Sequence, residues 1–164
     1  MVESLKKSIK ALILTGSNPV LTTKFIYMST LTKTEMLREL YKKYGLNQED
    51  TFKSPQGWTI ITRSGIDKIQ AEADIDIEYE VIEYAPGESA AVKAIANWND
   101  RKLMTFGEAS PKNCRQSYVL AMAEKRAMSR IVLKLTGFYA LGVFGQDESE
   151  DFIDSSKYQL KKTL

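Results

Sequence analysis

The chain has 164 residues, 43% of them hydrophobic and 27% charged, and a formal net charge of +2. That length suits a compact domain that buries its own core, and the composition excludes wholesale disorder. With Cys114 as the single cysteine and no histidine, disulfide frameworks, Cys/His zinc sites, a Ser-His-Asp triad and a Cys-His pair are all excluded. Cys114 therefore receives no role, no cofactor is expected, and the reading is a reducing cytoplasm with no membrane-spanning segment. The small net charge conceals a division by region. Residues 1–56 carry +4, 57–100 carry −6, 101–140 carry +6 and 141–164 carry −2. A segment of +6 is a natural place for a polyanion, or for the acidic block of a neighbour.

In chain order, residues 3–14 have helical spacing of Leu5, Ile9, Leu12 and Ile13, and "KFIYMS" at 24–29 reads as a short strand. "TKTEMLRELYKKYGL" opens on a Thr with Glu35 three residues later, a capping-box pattern, and closes on Gly45. Residues 46–57 are rich in Asn, Gln, Asp, Ser, Pro and Gly and read as a linker or exposed loop. "GWTIIT" is strand-like, and "RSGIDKIQAEAD" is a short helix with Ile66, Ile69 and Ala73 facing inward.

"IDIEYEVIEY" alternates, with Ile75, Ile77, Tyr79 and Val81 on one face and Asp76, Glu78 and Glu80 on the other. Turns at Pro86-Gly87 and Asn99-Asp100 make this strand, "SAAVKAIANW" and "KLMTFGE" an antiparallel meander. A long helix is expected from just after Pro111 to about Thr136, then Gly137 and a short apolar run, "FYALGVFG". The fold class is thus α+β: an antiparallel β-meander packed against a long α-helix, a β-β-β-α core with an N-terminal helical section.

On the long helix, steps of 100° place Arg115, Tyr118, Lys125, Arg126, Ser129 and Arg130 on one flank, opposite Leu120, Ala127, Met128, Ile131, Val132 and Leu135. Arg126 and Arg130, four residues apart, stand about 6 Å apart along the axis, near the phosphate spacing of an extended strand. Cations so placed neutralise phosphates without reading bases, and Tyr118 adds a stacking face for an unpaired base. Lys112 and Arg115 at the helix entry, and Arg101 and Lys102 at the Asn99-Asp100 turn, are further phosphate contacts. Trp98 is either a stacking face or a core residue. Glu124 falls within the apolar side and needs a partner or a rim position.

The segment "FGEASPKNCRQSYVLAMAEKRAMSRIVLKLTGFYALG" resembles the end of the conserved domain in single-strand annealing proteins of the Rad-fifty-two type, a superfamily that includes phage recombination proteins. The resemblance rests on Gly107, read as part of a turn closing the meander, on Lys125-Arg126-Ala127 in the long helix, and on Gly137 through Ala140-Leu141-Gly142. It covers roughly residues 57–142. What it implies is that Lys125 and Arg126 line a groove holding single-stranded DNA around a homo-oligomeric ring or filament. A recombination nuclease or replication protein is then a further partner, and a bacterial host cytoplasm the location if the chain is phage-encoded. The family's further Arg, three residues after the Lys-Arg arginine, is here Ser129, with Arg130 one position later.

The expected organisation is an N-terminal helical section at 1–56 with a role in oligomerisation, an annealing-like core at 57–145, and an acidic then basic tail at 146–164. The expected function is single-stranded DNA binding and annealing of complementary strands, without catalysis. Rival readings are a protective single-strand binding protein, a Mg²⁺-dependent nuclease using Asp76, Glu78 or Glu80, and an assembly protein whose basic helix meets a neighbour's acidic strands.

Overall fold

Thr32 and Glu35 close a reciprocal cap. The Thr32 amide donates to Glu35 Oε2 at 2.8 Å and the Glu35 amide to Thr32 Oγ1 at 3.3 Å, satisfying two of the donors that a helix start leaves open. Helix α1 (Lys33–Lys43) follows, and Gly45, with φ of 60°, closes the turn beyond it. This computed structural model describes residues 31–149, and the chain divides into two units, Met1–Glu39 and Leu40–Leu164. The helix expected at 3–14, the strand at 24–29 and the tail beyond residue 149 lie outside the described residues.

Residues 46–57 are not a linker. A 3-10 turn (Gln48–Asp50) leads into β1 (Thr51–Lys53), which pairs antiparallel with β2 (Thr59–Ile61). The division expected between residues 56 and 57 therefore falls inside a hairpin. Asp50 explains why this polar stretch is ordered: it is buried, accepts from the Asn47 amide at 2.8 Å, and receives Lys68 Nζ at 2.9 Å. Lys68 lies on α2 (Arg63–Ala73), which Thr62 caps by accepting from the Gly65 amide and which buries Ile66 and Ile69.

The meander consists of β3 (Ile77–Ala85), β4 (Ser89–Trp98) and β5 (Arg101–Ala109), in the order β3-β4-β5 and antiparallel throughout. Trp98 pairs with Arg101 across a two-residue turn in which Asn99 and Asp100 have φ of 47° and 60°. Only Gly, Asn and Asp enter that region readily, and the resulting mirror-image turn matches the strand twist. On one face β4 presents Ala90, Val92, Ala94 and Ala96, and β5 presents Thr105, Gly107 and Ala109, all buried. These side chains are small because α3 (Val119–Thr136) lies directly on them.

Gly107 sits within β5, not in a turn. A Cβ there would stand 1.9 Å from the Ala123 carbonyl oxygen and 2.5 Å from the Ala127 amide. Thr105 Oγ1 uses the same closeness to donate to Ala127 O at 3.0 Å. α3 also begins eight residues later than Pro111. Ser110 and Asn113 form a local turn instead, the Ser110 amide donating to Asn113 Oδ1 at 2.8 Å and the Cys114 amide to Ser110 O at 2.8 Å, and such bonds compete with helix.

After α3, Gly137 (φ 90°) ends the helix, Phe138 is buried against Tyr41 and Tyr44, and a 3-10 turn (Tyr139–Leu141) leads to β6 (Val143–Gly145). β6 runs parallel to β2 and completes a second sheet, ordered β1-β2-β6. The periodicity on β3 holds, with Ile77, Tyr79 and Val81 registered against Ala96, Ala94 and Val92, until a bulge at Ile82. α3 lies over β4 and β5, however, and among the described residues that face of β3 is left largely bare.

Gly107→Ala should destabilise the protein by about 3 kcal/mol, because helix backbone rather than a flexible side chain must move. Urea denaturation checks this, and a change under about 0.5 kcal/mol contradicts the close approach. Asp50 supplies a pH test. The Asn47 amide holds its carboxyl below the ordinary value, and the Lys68 ammonium adds to this against the opposing effect of burial. Its contribution is full above about pH 4 and is lost as pH falls through the folded value. The stability gap between wild type and Asp50→Asn should therefore hold constant from about pH 7 to about pH 5 and narrow as pH falls below about 4; a gap that stays constant down to about pH 2 contradicts the assignment.

Candidate nucleic-acid interface

α3 turns a flank outward mainly in its first half, where Ala121 and Glu124 are exposed and Lys125 is half-buried; from Arg126 to Leu133 every residue but the half-buried Arg130 is buried. At its N-terminus Tyr118, in the cap position, makes no side-chain hydrogen bond to the first-turn amides. That end carries the positive pole of the helix dipole.

Arg126 does not line the outward flank. It is 0% exposed. Nε donates to Asp147 O at 3.0 Å, Nη1 to Glu108 O at 2.7 Å and Nη2 to Asn113 O at 2.6 Å. A planar fork of donors fits three carbonyls arriving from different directions, which a lysine ammonium does not reproduce. The expectation that Arg126 grips a phosphate is corrected by this burial: its donors join the end of β5, the loop before α3 and the segment after β6.

Arg130 is likewise engaged with protein. Nε meets Glu148 Oε1 at 2.6 Å and Nη1 donates to Phe106 O at 2.7 Å. Glu148 is itself buried, with Oε2 accepting from the Gly145 amide at 3.4 Å. Ser129 Oγ donates to Asp147 Oδ2 at 3.0 Å, and Arg63 Nη1 approaches the same carboxylate at 3.8 Å. Asp147 and Glu148, expected to begin a tail, are thus fastened along α3. Ser129 is fully buried, and a Cβ on Gly145 would stand 2.8 Å from Ser129 Cβ, so β6 crosses α3 closely at this point.

The remaining predicted residues divide between two places. Lys112 and Arg115 are exposed in the loop leading into α3, Tyr118 is exposed at its start, and Lys125 is half-buried with Nζ 5.6 Å from the Tyr118 ring centre. Among the described residues, none of Lys112, Arg115 and Lys125 forms an ion pair. Arg101 and Lys102 lie at the opposite end of β5, roughly 25 Å away along the strand, where residues 97–102 line an open concavity of ≈ 330 Å³. Trp98 is held there as a packed residue, its Nε1 donating to Ala73 O at 2.7 Å.

Glu80 pairs with Lys93 across the outer face of the sheet. Glu124 is exposed on the α3 flank that faces β3, where burial first and then the Glu124 charge push the Tyr79 phenol up to about 12. Among the described residues, no three acidic or sulfur side chains converge as metal ligands, and no helix is long and apolar enough to cross a membrane.

Arg126→Ala should cost about 3–5 kcal/mol, since it strips a buried polar network of its donor, and Arg126→Lys should recover little of that loss. Lys125→Ala should stay within about 0.5 kcal/mol of wild type. Thermal and urea denaturation of the three variants check the division; equal stability of Arg126→Ala and Lys125→Ala contradicts it. Comparison with protein-family models, curated proteins and solved structures finds no match to the chain.

Proposed function

We propose that the chain binds single-stranded DNA at the N-terminal end of α3 and, as a homo-oligomeric ring or filament, anneals complementary strands. The observation that carries the reading is the grouping of Lys112, Arg115 and Lys125, all outside ion pairs among the described residues, with the exposed Tyr118 ring at the helix start. The resemblance of residues 57–142 to annealing proteins supports the second half of the proposal. Cations hold the phosphates, the helix dipole adds to their field, and Tyr118 stacks an unpaired base. None of these contacts reads sequence, so bases remain accessible for pairing while the backbone is held. Annealing needs no bond-making group. Arg126 and Arg130 belong to the fold in this reading, and Arg101 and Lys102 lie outside the surface.

Each phosphate contact releases counterions, at about 0.7 per contact for a single strand. Replacing Lys112, Arg115 and Lys125 together by alanine should lower affinity for an oligothymidylate at least tenfold and reduce the slope of log affinity against log salt by about 2. Tyr118→Ala should weaken binding by about 1–3 kcal/mol. Fluorescence anisotropy across a salt series gives both quantities; unchanged affinity and slope in the triple variant contradict the proposal. Mixing complementary oligonucleotides then separates annealing, which accelerates pairing, from protection, which slows it.

A further inference from the structure

β3 and β5 are the two edges of the meander, nine residues each, and among the described residues neither pairs with a further strand. On β5, Arg130 and Arg126 already occupy Phe106 O and Glu108 O, so the edge left for pairing is its first half, residues 101–105. These strands hold six of the nine large hydrophobic residues exposed in the described structure. Tyr79, Val81, Ile82 and Tyr84 lie on β3 at 39% to 54% exposure, and Met104 and Phe106 on β5 at 52% and 45%. Long edges with exposed apolar side chains are templates for pairing with another chain. Their charges are opposite in kind: β3 carries Glu78, Glu80 and Glu83, whereas β5 begins with Arg101 and Lys102.

We infer that β5 of one copy pairs with β3 of a second copy, head to tail, in a register that places Lys102 beside Glu78. Both strands run antiparallel to β4, so they are parallel to each other, and repeating the sheet sideways gives a parallel β5–β3 contact. Continuing the existing rungs unchanged would set Glu108 beside Glu83, because both are registered to Ala91. Sliding β5 by two residues removes that repulsion, keeps every side chain on its own face and brings Lys102 to Glu78. Leu103 and Thr105 then flank Tyr79 and Val81, ahead of the bulge at Ile82. α3 of the copy that supplies β5, seated over that strand, comes over the bare face of the second copy's β3.

The symmetric alternative, β3 against β3, would oppose one row of glutamates with another and is disfavoured. A contact between two different edges repeats without self-limitation and closes only as a ring, or else extends as a filament. The inference supplies the subunit contact that annealing needs and rests on that reading for its purpose. Its test uses no nucleic acid, so the two fail separately.

The first measurement is mass by light scattering over a concentration series, where oligomers larger than a dimer are expected. Glu78→Lys and Lys102→Glu should each weaken assembly roughly tenfold or more, and the two together in one chain should restore it. In a Cys114→Ser background, mixing E78C with K102C should give a disulfide-linked dimer that neither variant gives alone. A monomer at all concentrations overturns the inference, as does self-crosslinking of E78C or a double charge reversal that fails to restore assembly.

Discussion

The buried guanidinium of Arg126 is the contact around which the described structure is arranged. Main-chain carbonyls of Glu108, Asn113 and Asp147 converge on it from the end of β5, the loop that follows it and the distant segment after β6. Each carbonyl would be costly to bury without a donor, and a buried cation would be costly without acceptors. Met together, the two requirements fix where β5 ends, how the loop before α3 is shaped and where the chain passes after β6. Arg130 and Ser129 extend the same fastening to Glu148 and Asp147.

This arrangement gives the segregated charge two meanings. Part of the basic block is internal, spent on carbonyls and on acids that follow β6. The other part, Lys112, Arg115 and Lys125, remains at the surface, and its position is a consequence of the first: the Arg126 bond to Asn113 O anchors the loop that presents Lys112 and Arg115. The acidic block on β3 is neither buried nor gathered into a metal site. Among the described residues it lies along an unpaired edge, while α3 covers the other two strands and leaves the apolar face of β3 largely uncovered.

Local patterns were readable in the sequence wherever the physics was local. The Thr32–Glu35 cap, the Asn99-Asp100 turn, the alternation on β3 and the glycine ending α3 all depend on residues within a few positions of one another. Three features depended on distant partners and were not readable. β1 is only three residues long and finds its partners in β2 and, through β2, in β6. Gly107 resembles a turn glycine until the helix that crosses it is placed. Arg126 and Lys125 are adjacent in sequence and equally basic, yet one helical step, 100°, turns one inward and the other to the surface. No local pattern separates them, because Arg126 is held by main-chain carbonyls, which any sequence supplies, and the Glu148 carboxylate answers Arg130 instead.

The division of labour within the basic helix is most directly tested by nuclear magnetic resonance of arginine guanidinium groups during titration with an oligothymidylate. The Nε proton of Arg126 should exchange slowly with water in the free protein and keep its chemical shift throughout, while resonances of Arg115 and of the Lys125 ammonium move with binding. An Arg126 signal that exchanges fast, or that shifts in step with added DNA, contradicts the account.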